Sequence, residues 1–237
     1  MATTFLQLTN RVLQTIGEDE IDSTATEIVD PYQKLVATYV NQIKEEVEDA
    51  HNWRKLIQTV TVTILAGAET ATITGTNERS RLYRDGSNYA RGHVPLVTDV
   101  TTAGQEYALR EGNLANMLNK GLRNTTQDSD FSTEFCIDDR SGDELDLRVY
   151  PPALTDRTYV VTLIVPQNRI GFDETSTVIS IPTRPIELGA VWYCLEERGE
   201  ELGVGAVFSE KKYRMALDDA ITRDATESGQ NTQLVLD

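Results

Sequence analysis

The chain has 237 residues, 39% of them hydrophobic, and carries 22 Lys and Arg against 38 Asp and Glu, a net charge of −16. That is enough apolar material for one large domain or two small ones, and an acidic surface that repels phosphate backbones and argues against tight, sequence-independent binding of nucleic acid. No run of about 18 apolar residues exists to cross a bilayer as a helix, and the opening MATTFLQLTNRVLQ lacks the basic start and continuous apolar core of a signal peptide.

Residues 4–16 read as a short amphipathic helix. Thr4 and Gln7 stand at capping-box spacing, Phe5, Leu8, Val12 and Ile16 share a face, and Gly17 supplies the stop. An acidic linker, EDEIDSTATE, follows, and a second helix is expected to begin inside it, near Thr26. The stretch 31–53 is the strongest helical signal in the chain. Val36, Val40, Ile43, Val47 and Ala50 recur at steps of four and three, Asp30 stands at the cap, Pro31 at the first turn, and Gln33 offers the reciprocal capping bond. Lys34, Gln42, Glu45, Glu48 and Asp49 form the opposite face, solvated or turned to a polar partner. After Trp53 the period changes to two: Val60, Val62 and Ile64 alternate with Thr59, Thr61 and Thr63, a strand with one buried face.

The middle, 56–182, is strand and loop. Gly67-Ala68-Glu69 separates the Thr-rich strand from TATIT and predicts a hairpin. Residues 75–93 and 123–132 are rich in turn formers and read as exposed loops. Further strands are expected at 94–101, 105–110, 133–138, 145–150 and 158–165, with a short helix at 113–122 and a turn at Arg140-Ser141-Gly142-Asp143. Thr183, as cap, and Pro185 open a third long helix, whose apolar half IELGAVWYCL belongs centrally and whose polar half EERGEELG runs to Gly203. A fourth helix spans 205–223, with Tyr213, Leu217 and Ile221 in step. The remainder, 225–237, is a polar tail ending in Leu234-Val235-Leu236.

Signals of chemistry are few. His51 and His93 have no partner at metal-ligand spacing. Cys136 and Cys194 form no CxxC and read as two free thiols of a reducing cytoplasm. Asp138-Asp139 and Asp143-Glu144 are pairs that acid–base chemistry can use, but in so acidic a chain they read as turn residues. DSDFSTE and DDRSGDE do not match a calcium loop, and Gly203-Val204-Gly205 reads as a helix–helix turn rather than part of a dinucleotide site. No phosphate loop, GxSxG or HExxH is present. Trp53 and Trp192 read as core anchors. No cofactor, metal or catalytic residue is assigned.

The pattern FLQLTNRVLQTIGEDEI, a linker, a long helix running into HNW and a β segment resembles the head-to-tail adaptor proteins of tailed bacteriophages, including the tail tubular protein A group. Asn10, Leu13, Ile16, Gly17, Glu18 and Trp53 carry the likeness, and IPTRPIELGAVWYCLEERGE with EKKYRMALDDAITRD looks like the paired closing helices of those adaptors. The resemblance implies an α+β fold: a bundle of about four helices from 1–55 and 183–224, a β-rich, sandwich-like or barrel-like insertion over 56–182, and an extended tail over 225–237. It implies a virion protein, made in the host cytoplasm and not an enzyme. Twelve copies would form a ring between the portal protein and the tail or nozzle proteins, with the β insertion towards the tail. DNA would pass through the channel without specific binding, since an acidic lining offers it few attractive contacts, and no membrane is involved. The tip Leu234, Val235 and Leu236 is expected to dock on the portal, and Trp53 to be the structural anchor where the helical part meets the β insertion. Two other classes fit parts of the sequence: a carboxylate-based hydrolase of cell-wall glycan, and a free-standing β-rich binding module, in which the closing helices would be superfluous.

Overall fold

The first helix, α1 (Phe5–Thr15), starts where Thr4 and Gln7 complete a reciprocal capping box, the Gln7 amide donating to Thr4 Oγ1 and the Thr4 amide to Gln7 Oε1. The structure, a computed structural model, describes residues 3–83, 97–123, 129–138, 144–199 and 204–227. These divide into two compact units, 1–56 with 167–237, and 57–166.

The first unit is helical. After α1, the helix α2 (Pro31–Ala50) begins at Pro31 rather than near Thr26, because the Asp30 carboxylate accepts the amides of Tyr32 and Gln33. Gln33 does not return the bond; its side chain donates to the Asp19 carbonyl instead. The helix ends at Ala50, short of Trp53, with His51 already in extended backbone. Helix α4 (Thr183–Glu197) packs against α1, α2 and α5 (Val204–Glu227), the central position its apolar first half predicts. Thr183 is its first residue rather than its cap, and no side chain caps it. Nor does it run to Gly203, which lies outside the described residues: the chain turns at Arg198 and Gly199, where φ of +65° suits glycine. The fourth bundle helix is longer than expected and takes in 225–227, residues assigned from sequence to the tail. The stretch 167–182, read from sequence as part of the β region, belongs to this helical unit and hydrogen-bonds along α1 and α2. The amides of Phe5 and Leu6 donate to the Thr177 and Thr175 carbonyls, for example.

The second unit is a two-sheet sandwich. One sheet runs β1 (Ile57–Ile64), β9 (Arg157–Ile164), β4 (Val97–Thr102), β5 (Gln105–Ala108), with β3 (Arg81–Leu82) also on β9, inside a stretch expected to be loop. The other runs β2 (Thr70–Ile73), β8 (Leu145–Tyr150), β7 (Glu134–Asp138), β6 (Arg110–Glu111), its last pair parallel. The hairpin expected at 67–69 does not form. The first strand pairs with β9 along its whole length, and β2 pairs with β8 in the opposite sheet, so Gly67-Ala68-Glu69 carries the chain between sheets. The segment expected as one strand over 105–110 also divides at the buried Leu109, its two parts joining different sheets. Val62, Val97, Tyr159, Val161 and Leu163 of one sheet share a core with Ile73, Phe135, Leu145, Leu147 and Val149 of the other. That is the α+β architecture with a β-rich part that the sequence implies. The helix α3 (Leu114–Arg123) covers a smaller cluster of Met117, Cys136 and Tyr150.

Candidate functional site

Within the helical unit, α2 buries two parallel stripes. Val36, Val40, Ile43 and Val47 form the apolar one; Ala37, Asn41, Lys44 and Glu48 repeat the same spacing one residue later and are buried too. Glu48 therefore does not lie on a solvated face, as its sequence position suggested. Lys44 and Glu48 are both 0% exposed and stand 3.3 Å apart. The Lys44 ammonium also donates to the carbonyls of Gln167 (2.9 Å) and Asn168 (3.2 Å), and Glu48 accepts the Gln167 amide. A buried ion pair is tolerable only when its remaining donors and acceptors are satisfied in this way. One turn earlier the Asn41 amide donates to the Ile170 carbonyl and accepts the Ile170 amide, imitating a strand neighbour. Asn10 on α1 does the same to Ile21. Polar side chains thus hold the two irregular segments, 21–28 and 167–170, where regular ladders are absent.

A second network closes the outer face of the helices. The Tyr39 hydroxyl donates to Glu197, and Tyr193 and Tyr213 both donate to Glu46, at 2.8 and 3.5 Å. Burial first, and the neighbouring carboxylate second, push all three phenols up to about 12, so they remain protonated donors at neutral pH. Arg198 donates to the Tyr32 hydroxyl, the Ile16 carbonyl and Glu18, tying the end of α4 to the end of α1. Trp192, expected to be a core anchor, is only partly buried and stacks on Tyr213. Gly189 lets three helices meet: a Cβ there would stand 2.7 Å from Ile43 Cγ2 and 3.1 Å from Tyr213 Cδ2.

Trp53 is 1% exposed, and its indole N–H donates to the Val47 carbonyl at 2.6 Å. It forms part of the wall of a cleft of about 910 Å³ bounded by 178–185 and the second half of α5. His51 and Arg54 meet Asp224 at this cleft, at 3.2 and 3.5 Å. Lys55, Arg184 and Arg223 line it as well and make no ion pair among the described residues. In a chain of net charge −16 this is a local excess of cations.

The carboxylates that sequence singled out for chemistry are engaged elsewhere or outside the described residues. Asp138 is buried within 3.9 Å of Arg148, and Glu144 accepts the Gly75 amide at 3.0 Å. Asp139, Asp143 and His93 lie outside the described residues, as do Leu234, Val235 and Leu236. Among the described residues no group of three or more His, Cys, Asp or Glu side chains is placed to hold a metal ion, and no helix is long and apolar enough to cross a membrane. Cys136 and Cys194 are buried free thiols.

The geometry is therefore that of helices interlocked by polar side chains. No curated protein matches the chain. The family model described as SU10 adaptor protein matches residues 3–234, which takes in both units. The chain belongs to the SU10 adaptor protein family, and it is a structural phage adaptor, a component of the virion.

Proposed function

We propose that this adaptor joins the capsid portal ring to the tail as a closed ring of twelve copies and forms part of the DNA channel, in the manner of the tail tubular protein A group. The observation that carries the reading is the family match over 3–234, nearly the whole chain. The interlocked helices support it. Fixed by Asn10, Asn41, Lys44, Glu48 and Arg198, they form a rigid body suited to bearing load between two larger rings. The β-rich unit is assigned to the tail side, and no catalytic role is assigned to any carboxylate. The net charge of −16 suits a channel through which DNA slides without being held. Leu234, Val235 and Leu236 are assigned to the portal, adding to a portal strand or filling a groove between portal subunits. The purified protein imaged by electron microscopy together with portal rings should appear as an added ring of the portal's symmetry. Absence of any added layer at saturating protein refutes the assignment. Deleting 234–237 should leave the melting temperature unchanged and weaken capture by portal rings; capture as tight as that of the full chain removes the tip from the interface.

A further inference from the structure

The sandwich has one long edge with no strand paired to it among the described residues. In its sheet order β1 stands at an end, paired with β9 on one side only. Its open side can be read from the neighbours of β9. The Thr158 amide donates to Thr101 Oγ1, and the Thr162 carbonyl accepts the Tyr83 amide, so even-numbered β9 residues direct their main-chain groups away from β1. Their register partners are Thr63 and Thr59. By the alternation of an antiparallel ladder, Ile57, Thr59, Thr61 and Thr63 point their N–H and C=O groups outward. No hydrogen bond to those outward groups occurs among the described residues.

An eight-residue edge of this kind templates pairing with another chain unless it is short, charged, bulged or broken by proline. The opposite edge, β5, is guarded: it has four residues, one of them Glu106, and a register break in its ladder with β4. The β1 edge has none of these devices. Its ladder with β9 is unbroken, and residues 57–68 contain no proline and no charge. In a chain of net charge −16, that stretch is where two copies approach with least repulsion.

The sequence IQTVTVTIL is also complementary to itself. A two-fold axis at Thr61 sets Thr61 against Thr61 and Thr59 against Thr63 as the hydrogen-bonded pairs. It sets Val60 against Val62 on the core side and Ile57 against Leu65 on the outer side. Threonine and β-branched pairs of this kind favour cross-strand contact, and Leu65, 65% exposed in the single chain, gains an apolar neighbour. We propose that the free protein, before it enters a ring, dimerises by antiparallel pairing of β1 with β1 of a second copy about Thr61. The contact is isologous, so it closes at two copies and offers no growing end.

The register supplies the test. A hydrogen-bonded antiparallel pair holds its Cα atoms about 5.5 Å apart, within disulfide reach. In the full chain, Thr61→Cys should give a disulfide-linked dimer on mild oxidation. Thr63→Cys alone should not, and an equimolar mixture of Thr59→Cys and Thr63→Cys should. Cys136 and Cys194 are buried and remain as internal controls. Sedimentation of the unmodified protein should show a concentration-dependent dimer. Thr61→Pro should abolish it without weakening the fold, since that amide faces the open edge; Thr61→Lys serves the same purpose should proline disturb the strand. A protein that stays monomeric at millimolar concentration overturns the proposal. So does a dimer that persists in both Thr61 variants, or cross-linking at Thr63→Cys alone that equals that at Thr61→Cys. None of these outcomes bears on assembly with the portal.

Discussion

Replacing Lys44 with methionine tests the reading of α2 most directly. The side chain keeps its approximate length and apolar stem but loses the ammonium. Glu48, 0% exposed, then stays buried without its cation, and the carbonyls of Gln167 and Asn168 lose their donor. Removing one partner of a buried pair costs about 3–5 kcal/mol, because the remaining charge is stranded. Replacing Glu48 with leucine as well removes that stranded charge. The Lys44 bonds to the two carbonyls and the Gln167 bond to Glu48 are still lost, at about 1–3 kcal/mol for each buried group left unsatisfied. The double variant should therefore recover part of the loss, and the recovery measures how much of it was uncompensated charge. Urea titration followed by tryptophan emission is the assay. The chain has two tryptophans, Trp53 and Trp192, and both lie in the helical unit. Emission thus reports that unit alone, whether or not the sandwich unfolds with it. A loss below about 1 kcal/mol in Lys44→Met refutes the reasoning of a stranded buried charge. A double variant less stable than the single one shows that the bond from the Gln167 amide to Glu48 outweighs the relief of the stranded charge.

Three further outcomes follow from the same helices. Tyr39, Tyr193 and Tyr213, raised to about 12 against about 10 in the unfolded chain, should ionise late. Between those values the unfolded chain has released protons that the folded one retains, so their stabilising contribution is complete below pH 10 and is lost as pH rises towards 12. Tyrosinate absorbance should show Tyr39, Tyr193 and Tyr213 titrating late, and urea should abolish the lag. Gly189→Ala should destabilise by about 1–3 kcal/mol through overpacking against Ile43 and Tyr213; a change within about 0.5 kcal/mol on thermal melting would mean that the helices separate freely there. Trp53→Ala should cost about 3–5 kcal/mol, since it empties a buried site and removes the indole bond to the Val47 carbonyl; circular dichroism in denaturant checks it, and a loss below about 1 kcal/mol marks Trp53 as peripheral.

Much of the molecule is a consequence of local rules and was legible in the chain. The Thr4–Gln7 capping box, the Asp30 cap, the 4-3 spacing of Val36, Val40, Ile43 and Val47, and the alternation of Val60, Val62 and Ile64 each depend on residues within a turn or two of one another. Their geometry is set before any tertiary contact forms. Partner choice is different, because it depends on which distant segments compete for the same surface. The Gly67 turn is compatible with a hairpin, but β9, almost a hundred residues on, offers β1 an eight-residue register, and β8 takes β2. The same holds for the polar stripe of α2. Asn41, Lys44 and Glu48 repeat the apolar stripe's spacing one residue later, a signal present in the sequence. Whether such a stripe meets water or the carbonyls of 167–170 depends on the return path of the chain, 120 residues on, and only the folded structure decides that.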